Sequence, residues 1–364
     1  MTDEQYMRLA LDLAEKARGK TSPNPLVGAV IVKDGVIIGR GYHEKAGMSH
    51  AEINALADAG DNARGATIYV TLEPCVHTGR TGPCTDALIA AGIKKVVAAM
   101  TDPNPRVVGQ GFARLRAAGI EVVEGVLADE ALKLNDIFIK WITTGKPFVT
   151  LKTAMTVDGK IAAYTGHSRW VTGEESRHTV HRLRGQYDAI MVGIGTVLAD
   201  NPALTTRLLD ENGEAVSKNP IRVIVDSLAR TPLDSQVVSD GLAPTIIAVT
   251  PEAPRQRVEA LRQKGVEVAI ISSDNARVNM AELLNYLGSD AKMITSILVE
   301  GGASINASLV TAGLADKLYC FIAPKIIGGH AAPGLEPGTA AHAGRPPGAG
   351  PVLRHAARHG QSAL

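Results

Sequence analysis

At 364 residues, with 45% hydrophobic and 21% charged residues, the chain is long for one core, and two globular domains are expected. A formal net charge of +1 offers no attraction for a polyanion, so neither a nucleic-acid partner nor an anionic membrane surface is expected. No apolar run reaches the length of a membrane span, the N-terminus is polar and acidic, and Cys75, Cys84 and Cys320 make a poor disulfide framework, so a reducing, cytoplasmic setting is expected.

Residues 3–18 repeat apolar positions at helical spacing (Tyr6, Met7, Leu9, Ala10, Leu13, Ala14, Ala17), and Gly19 stops the pattern. Ser22-Pro23-Asn24-Pro25 is a rigid turn, because each proline fixes its own φ and restricts the residue before it. The runs 27–32 and 36–41 flank Lys33-Asp34-Gly35, which predicts an antiparallel hairpin. A helix is predicted over 50–59, a short strand over 67–71, a helix over 83–91 and a strand over 95–100. This order predicts an α/β sandwich built on one sheet.

The segment that carries chemistry is His50-Ala51-Glu52, followed by Pro74-Cys75 and Pro83-Cys84. One imidazole and two thiolates fill three zinc positions and leave the fourth for water, the open arrangement of a catalytic site. Glu52 is then no ligand; it stays free to move protons between water and substrate. Cys84 falls near a predicted helix start, where the dipole favours the thiolate that zinc needs. Each residue alone has an ordinary explanation: His50 as a cap, Glu52 as a first-turn acid, the cysteines as unrelated buried thiols. Together they predict a zinc-dependent deaminase.

Ser22-Pro23-Asn24-Pro25-x-Val27-Gly28, Gly41-x-His43 and His50-Ala51-Glu52 resemble the pyrimidine deaminase domain of riboflavin biosynthesis. Cytidine and tRNA adenosine deaminases usually space their cysteines as Cys-x-x-Cys. Here eight residues lie between Cys75 and Cys84, and that insert, with His77 and Gly79-Arg80-Thr81, is typical of the riboflavin enzyme. The resemblance implies a cytidine-deaminase-like α/β/α sandwich in which Asn24, His43 and His77 hold substrate and Arg80 contacts its phosphate. Read without the family, Asn24 is a turn residue, His43 a hairpin-end residue, and His77 and Arg80 solvated loop residues.

A helix predicted over 131–143 leads to Gly145-Lys146-Pro147, which punctuates a boundary. Strand-like runs follow at 148–152, 189–192, 221–225, 245–249, 266–271, 296–299 and 318–323, with helical stretches such as 174–184 and 254–264 between them. Near-continuous apolar strands alternating with helices predict a largely parallel sheet covered on both faces. Val299-Glu300-Gly301-Gly302-Ala303-Ser304 ends a strand in a glycine pair and opens a helix, freeing backbone N–H groups for an anion; a tight strand–helix turn is the plainer explanation. The G-x-G-x-x-G dinucleotide fingerprint is missing after the first of these strands.

That segment, together with 150–162 and 192–207, resembles in order the dihydrofolate-reductase-like reductase fused to this deaminase. The resemblance implies that Ala154, Trp170, Thr196, Asp200, Gly302, Ala303 and Ser304 contact NADPH. It also implies that Lys152, Ser168, Arg184, Leu204, Arg207 and Glu300 contact the substrate. Arg184 and Arg207 suit a phosphate, since a guanidinium fork matches its oxygens. Trp170 read alone is equally a packing residue, and Lys152 with Glu300 equally a buried structural pair.

The expected organisation is a zinc deaminase domain over 1–145, an NADPH-dependent reductase domain over 146–330, and an atypical tail over 331–364. The tail is rich in Ala, Gly and Pro, carries His342, His355 and His359, and is predicted to hold no packed element. The resembling family continues instead with polar segments and a closing strand, so the chain departs from it near His330; a histidine-rich metal tail is the functional alternative. The implied activity is hydrolytic deamination of a phosphoribosylated diaminopyrimidinone, then reduction of its ribosyl group to ribityl, in a homo-oligomer. A nucleoside or RNA deaminase with a non-catalytic second domain is the rival enzyme, disfavoured by the charge and by the long insert. A zinc-stabilised scaffold is disfavoured by Glu52, because a structural site takes a fourth protein ligand.

Overall fold

In the computed structural model the structure describes residues 1–76, 82–165, 171–208 and 217–329, with Ala332 and Gly334. The N-terminal half runs α1 (Asp3–Glu15), β1 (Gly28–Lys33), β2 (Val36–Tyr42), α2 (Ala51–Ala59), β3 (Thr67–Val70), α3 (Cys84–Ala90), β4 (Lys95–Ala98), α4 (Gln110–Ala117), β5 (Glu121–Glu124), α5 (Ala128–Leu134) and α6 (Asp136–Thr144). Its five strands are ordered β2-β1-β3-β4-β5, antiparallel across β2-β1-β3 and parallel across β3-β4-β5. Helix α1 starts on a capping box in which Thr2 Oγ1 accepts from the Gln5 N–H and the Gln5 side chain accepts from the Thr2 N–H, worth about 1 kcal/mol. Its buried stripe, Tyr6, Met7, Ala10, Leu11 and Ala14, packs into the core with the fully buried strand residues Ala29, Val30 and Ile31.

Helix α2 lies so close to β2 that a Cβ on Gly41 would fall 2.4 Å from both Ala51 O and Ala55 N. Only glycine permits that approach, and it fixes where α2 begins. The helix predicted over 131–143 is instead α5 and α6, broken at Asn135. The reason is tertiary: the buried Asn135 amide accepts from the Leu26 N–H at 2.8 Å and donates to Leu26 O at 3.0 Å. Strand β5, two valines between glutamates, is too short for alternation to reveal.

The C-terminal half comprises β6 (Phe148–Thr156), α7 (Glu174–Gln186), β7 (Ala189–Gly193), α8 (Ile194–Asp200), β8 (Ile221–Val225), α9 (Gln236–Ser239), β9 (Thr245–Val249), α10 (Arg255–Gln263) and β10 (Glu267–Ile270). A two-residue ribbon, β11 (Ser273–Asp274) with β12 (Arg277–Val278), precedes α11 (Met280–Gly288), β13 (Ser296–Val299), α12 (Ala303–Thr311) and β14 (Lys317–Ala323). Among the described residues the sheet is seven-stranded, β10-β9-β8-β7-β13-β6-β14, and every neighbouring pair is parallel. Two core clusters fill its faces, one around Met191, Leu283 and Leu287, the other around Ile190, Ile224 and Leu261. The predicted parallel α/β sheet is therefore observed, and β6 runs four residues further than the apolar run suggested.

Strand β14 is an edge, exposing Leu318, Cys320 and Ile322 on alternate residues. Most of the 331–364 tail lies outside the described residues. Of it, Ala332 is buried and accepts from Lys160 Nζ at 2.8 Å, and Gly334 bridges to Lys160. No helix among the described residues is long and apolar enough to cross a membrane.

Candidate active sites

The first site lies where the N-termini of α2 and α3 meet the loop after β3. His50, expected on the first turn of α2, is instead its N-cap, one residue before the helix, and Cys84 is the first residue of α3 behind the cap Pro83. His50 Nδ1 sits 3.2 Å from Cys84 Sγ and 3.5 Å from Cys75 Sγ, and the ligand atoms of all three lie within 4.8 Å of one another. Tetrahedral zinc with Zn–N of about 2.0–2.1 Å and Zn–S of about 2.3 Å spaces its ligand atoms roughly 3.5–3.8 Å apart, so this donor set fits the ion. A hydrogen bond from Cys84, with His50 beside it, holds the Cys75 thiol well below its usual range, toward the thiolate that zinc takes.

Glu52 follows on the first turn of α2 and is 4% exposed. Burial, and next the charge of Cys75, push its carboxyl up to about 7, so it is poised to take up and release protons near neutrality. Glu52, His50 and Cys75 line a cavity of about 270 Å³ together with Asn24 and His43. His43 is buried, and its Nδ1 lies 3.0 Å from Ser49 O, to which it donates. That leaves Nε2 as a lone pair facing Asn24 Nδ2 at 3.1 Å. The Asn24 amide must donate there, which turns its Oδ1 to accept from a ligand.

The same cavity is lined by Asp102, Asn104, Phe138 and Trp141, none of which the sequence singled out. A signal was present: Asp102-Pro103-Asn104-Pro105 echoes Ser22-Pro23-Asn24-Pro25, and it follows a parallel strand, where α/β folds build sites. Glu73 holds this second turn. Buried between β3 and Cys75, it accepts from the N–H of Asp102 and Gly109 (both 3.0 Å), Gly111 (2.8 Å) and Phe112 (3.3 Å). Phe138 and Trp141 come from α6 and present aromatic surface to a flat heterocycle. His77 and Arg80 lie outside the described residues.

The second site opens at the C-terminal ends of β6 and β13, a cavity of about 870 Å³. Lys152, Ala154, Arg184, Arg207, Glu300, Gly302 and Ala303 line it, as the resemblance implied. Glu300 is buried, which raises its pKa, but Arg184 and Lys152 outweigh burial and hold it below the usual carboxylate range. Arg184 Nε and Nη2 donate to the two Glu300 oxygens at 2.6 and 3.0 Å, its Nη1 donates to Thr205 O at 3.0 Å, and Lys152 Nζ stands 3.6 Å from Glu300. Two of the five Arg184 N–H groups are left for a ligand.

Thr196, Asp200 and Ser304 sit on α8 and α12 but not among the residues lining this cavity, and Leu204 is packed in the core. Ser168 and Trp170 lie outside the described residues. Reasoning from sequence missed His181 and Asn306, which line the cavity; among the described residues their buried Nδ1 and Oδ1, like Thr153 Oγ1, have no hydrogen-bond partner. The signal for His181 was the spacing Arg177, His181, Arg184, one polar face of α7. A Cβ on Gly301 would fall 3.2 Å from Gly193 N and Val192 Cα, so the glycine lets the β13–α12 turn pack on β7, while Gly302 faces open space at the α12 N-terminus. Orphaned polar atoms, a helix N-terminus and a cavity of ligand size together fit a dinucleotide with its substrate.

Comparison with known proteins finds a match for each half of the chain. The family model of the cytidine and deoxycytidylate deaminase zinc-binding region matches residues 1–100, and that of the RibD C-terminal domain matches residues 147–346. The riboflavin biosynthesis protein RibD of Actinobacillus pleuropneumoniae is 49% identical over 329 residues, covering 90% of this chain and 85% of that protein. The RibD of Escherichia coli (strain K12) is 46% identical, covering 92% of this chain and 93% of that protein. Among solved structures, RibD of Acinetobacter baumannii aligns with a TM-score of 0.83 at 39% identity, over 94% of this chain and 92% of that one. A Thermotoga maritima diaminohydroxyphosphoribosylaminopyrimidine deaminase/5-amino-6-(5-phosphoribosylamino)uracil reductase aligns at 0.78 with 42% identity, over 90% and 88%. The chain belongs to the RibD family of riboflavin biosynthesis, deaminase and reductase in one polypeptide.

Proposed function

We propose that the two cavities act in order on one phosphorylated pyrimidine, through the residues named above. The N-terminal cavity, in the unit 1–145, deaminates 2,5-diamino-6-(5-phosphoribosylamino)pyrimidin-4-one. The C-terminal cavity, in the unit 146–330, reduces the ribosyl group of the resulting 5-amino-6-(5-phosphoribosylamino)uracil to ribityl. The observation that carries this reading is the meeting of His50, Cys75 and Cys84 beside a buried Glu52 on a cavity wall.

His50, Cys75 and Cys84 hold zinc, which when bound supplies Lewis acidity to a water in the open position. Glu52 takes a proton from the attacking water and passes it to a ring nitrogen of the pyrimidine; it then takes the remaining proton of the adduct's hydroxyl and gives it to the exocyclic amine, which leaves as ammonia while the ring carbonyl forms. Asn24 Oδ1 accepts from a substrate N–H, and Phe138 and Trp141, on one wall, pack against the ring and exclude water. His77 and Arg80 complete the substrate contacts in this reading. In the second cavity NADPH supplies the reducing equivalents when bound. Gly302 and Ala303 present backbone N–H groups to its phosphates at the α12 N-terminus, with Ala154 and Trp170 as further contacts. Lys152 and Arg184 orient Glu300 toward the sugar, and Arg207 holds the substrate phosphate. The free state of Cys75, Cys84 and Cys320 fits a cytoplasmic protein, and the apolar edge of β14 fits a homo-oligomer.

Metal removal separates the halves. A chelator is expected to lower ammonia release by at least about 100-fold, with recovery on added zinc, because the acidity of the bound water is lost. NADPH oxidation with the deaminated uracil is expected to persist. Equal loss of both activities, or of neither, in parallel assays contradicts the assignment.

A further inference from the structure

Two walls of the deaminase cavity are tied to the C-terminal half, one to the residue before β7 and one to the end of α11. Ser22 opens the turn that carries Asn24, and its Oγ–H donates to Asp188 Oδ2 at 2.7 Å. Asp188 immediately precedes β7 and is buried. The same Oδ2 accepts from the Thr295 N–H at 2.9 Å and the Thr295 hydroxyl at 2.7 Å, so three donors converge on one oxygen. The Asp188 N–H donates to Ser296 Oγ at 3.0 Å, and Lys218 Nζ stands 3.9 Å from the other carboxylate oxygen. The far end of the turn is held by Asn135 on Leu26, so the segment between is clamped at both ends. On the facing wall, Trp141 Nε1–H donates to Gly288 O at 2.9 Å.

We propose that Ser22 and Asp188 are positioning residues for deamination, with the C-terminal half holding Asn24 in place at the N-terminal cavity. The chain of contact is short. Asp188 fixes Ser22, Pro23 stiffens the link, the Asn24 N–H donates to Thr21 O at 2.7 Å to close the turn, and Asn24 meets His43 and the cavity. A hydroxyl bound to a buried carboxylate makes one of the stronger class of hydrogen bonds. Losing it frees the near end of the turn while the Asn135 clamp keeps the rest folded. The cost therefore falls on substrate binding, through Asn24, rather than on proton transfer at Glu52. It gives the fusion a physical role beyond carrying two activities on one chain.

The inference rests on the N-terminal cavity being the deaminase site, and the test separates the two claims. Ser22→Ala, Ser22→Thr and Asp188→Asn are made in the full, zinc-loaded chain. Each is assayed for ammonia release against concentration of the diaminopyrimidinone, for NADPH oxidation with the deaminated uracil, and for its urea midpoint. Ser22→Ala is expected to raise the deaminase KM about 5–10-fold with kcat within about twofold, the loss of one charge-assisted hydrogen bond in binding. Ser22→Thr restores the KM, Asp188→Asn raises it in the same direction, and the reductase constants of the Ser22 variants match the parent. An unchanged KM in Ser22→Ala overturns the inference, as does a rise that threonine fails to restore or one accompanied by a parallel fall in reductase kcat/KM and urea midpoint. A parent chain that releases no ammonia removes the functional reading itself.

Discussion

Glu52→Gln is expected to end deamination while zinc stays bound and the reductase keeps running. Glutamine keeps the length and planarity of the side chain but cannot carry a proton. The carboxyl it replaces is 4% exposed and held near neutrality, at about 7, chiefly by burial. General acid–base catalysis by one positioned group contributes about 10²–10⁴-fold, and Glu52 is asked to act in more than one proton transfer, so the loss belongs at the upper end. Neutralising a carboxyl whose burial already disfavours its ionised form costs the fold little. Ammonia release and zinc content per chain are the measurements. Deamination within tenfold of the parent, with zinc retained, would remove the proposed mechanism.

Arg184→Gln is expected to do two things at once in the C-terminal half. It strips the bidentate partner from Glu300, whose side chain is 7% exposed, leaving Lys152 at 3.6 Å as the remaining cation. Breaking one side of a buried pair costs about 3–5 kcal/mol, so the urea midpoint should fall markedly. Reductase kcat/KM should fall with it, since Glu300 loses its orientation on the cavity wall. Glu300→Gln added to Arg184→Gln removes the orphaned charge, and it should recover much of the stability but none of the activity. Recovery of NADPH oxidation in the double variant would mean that the pair is structural only.

The zinc triad and Glu52 were legible because His50, Glu52 and Cys84 sit at helix starts and both cysteines follow prolines, Cys75 on the loop after β3. The parallel sheet was legible for a similar reason: strands buried on both faces read as continuous apolar runs. What escaped was whatever depends on distant packing. Phe138 and Trp141 reach the deaminase cavity only because Asn135 breaks the expected helix to grip Leu26, 109 residues earlier in the chain. The four amides that converge on Glu73 come from the loop before α4 and the first turn of that helix, 29 to 39 residues further on. Nothing local marks Ser22 as the partner of Asp188, 166 residues away. In the second cavity the family resemblance pointed to Lys152, Arg184 and Glu300 as separate contacts. Their fusion into one buried charge cluster is a property of the β6–β13 neighbourhood and of α7 laid across it.

The central claim is that one chain removes an amine and then reduces the product. It is tested most directly by mixing the zinc-loaded protein, NADPH and 2,5-diamino-6-(5-phosphoribosylamino)pyrimidin-4-one, and counting ammonia released against NADPH consumed. The account predicts one NADPH oxidised per ammonia at completion, with oxidation lagging behind release. Ammonia without NADPH oxidation, or oxidation of the diaminopyrimidinone before any ammonia appears, would contradict it.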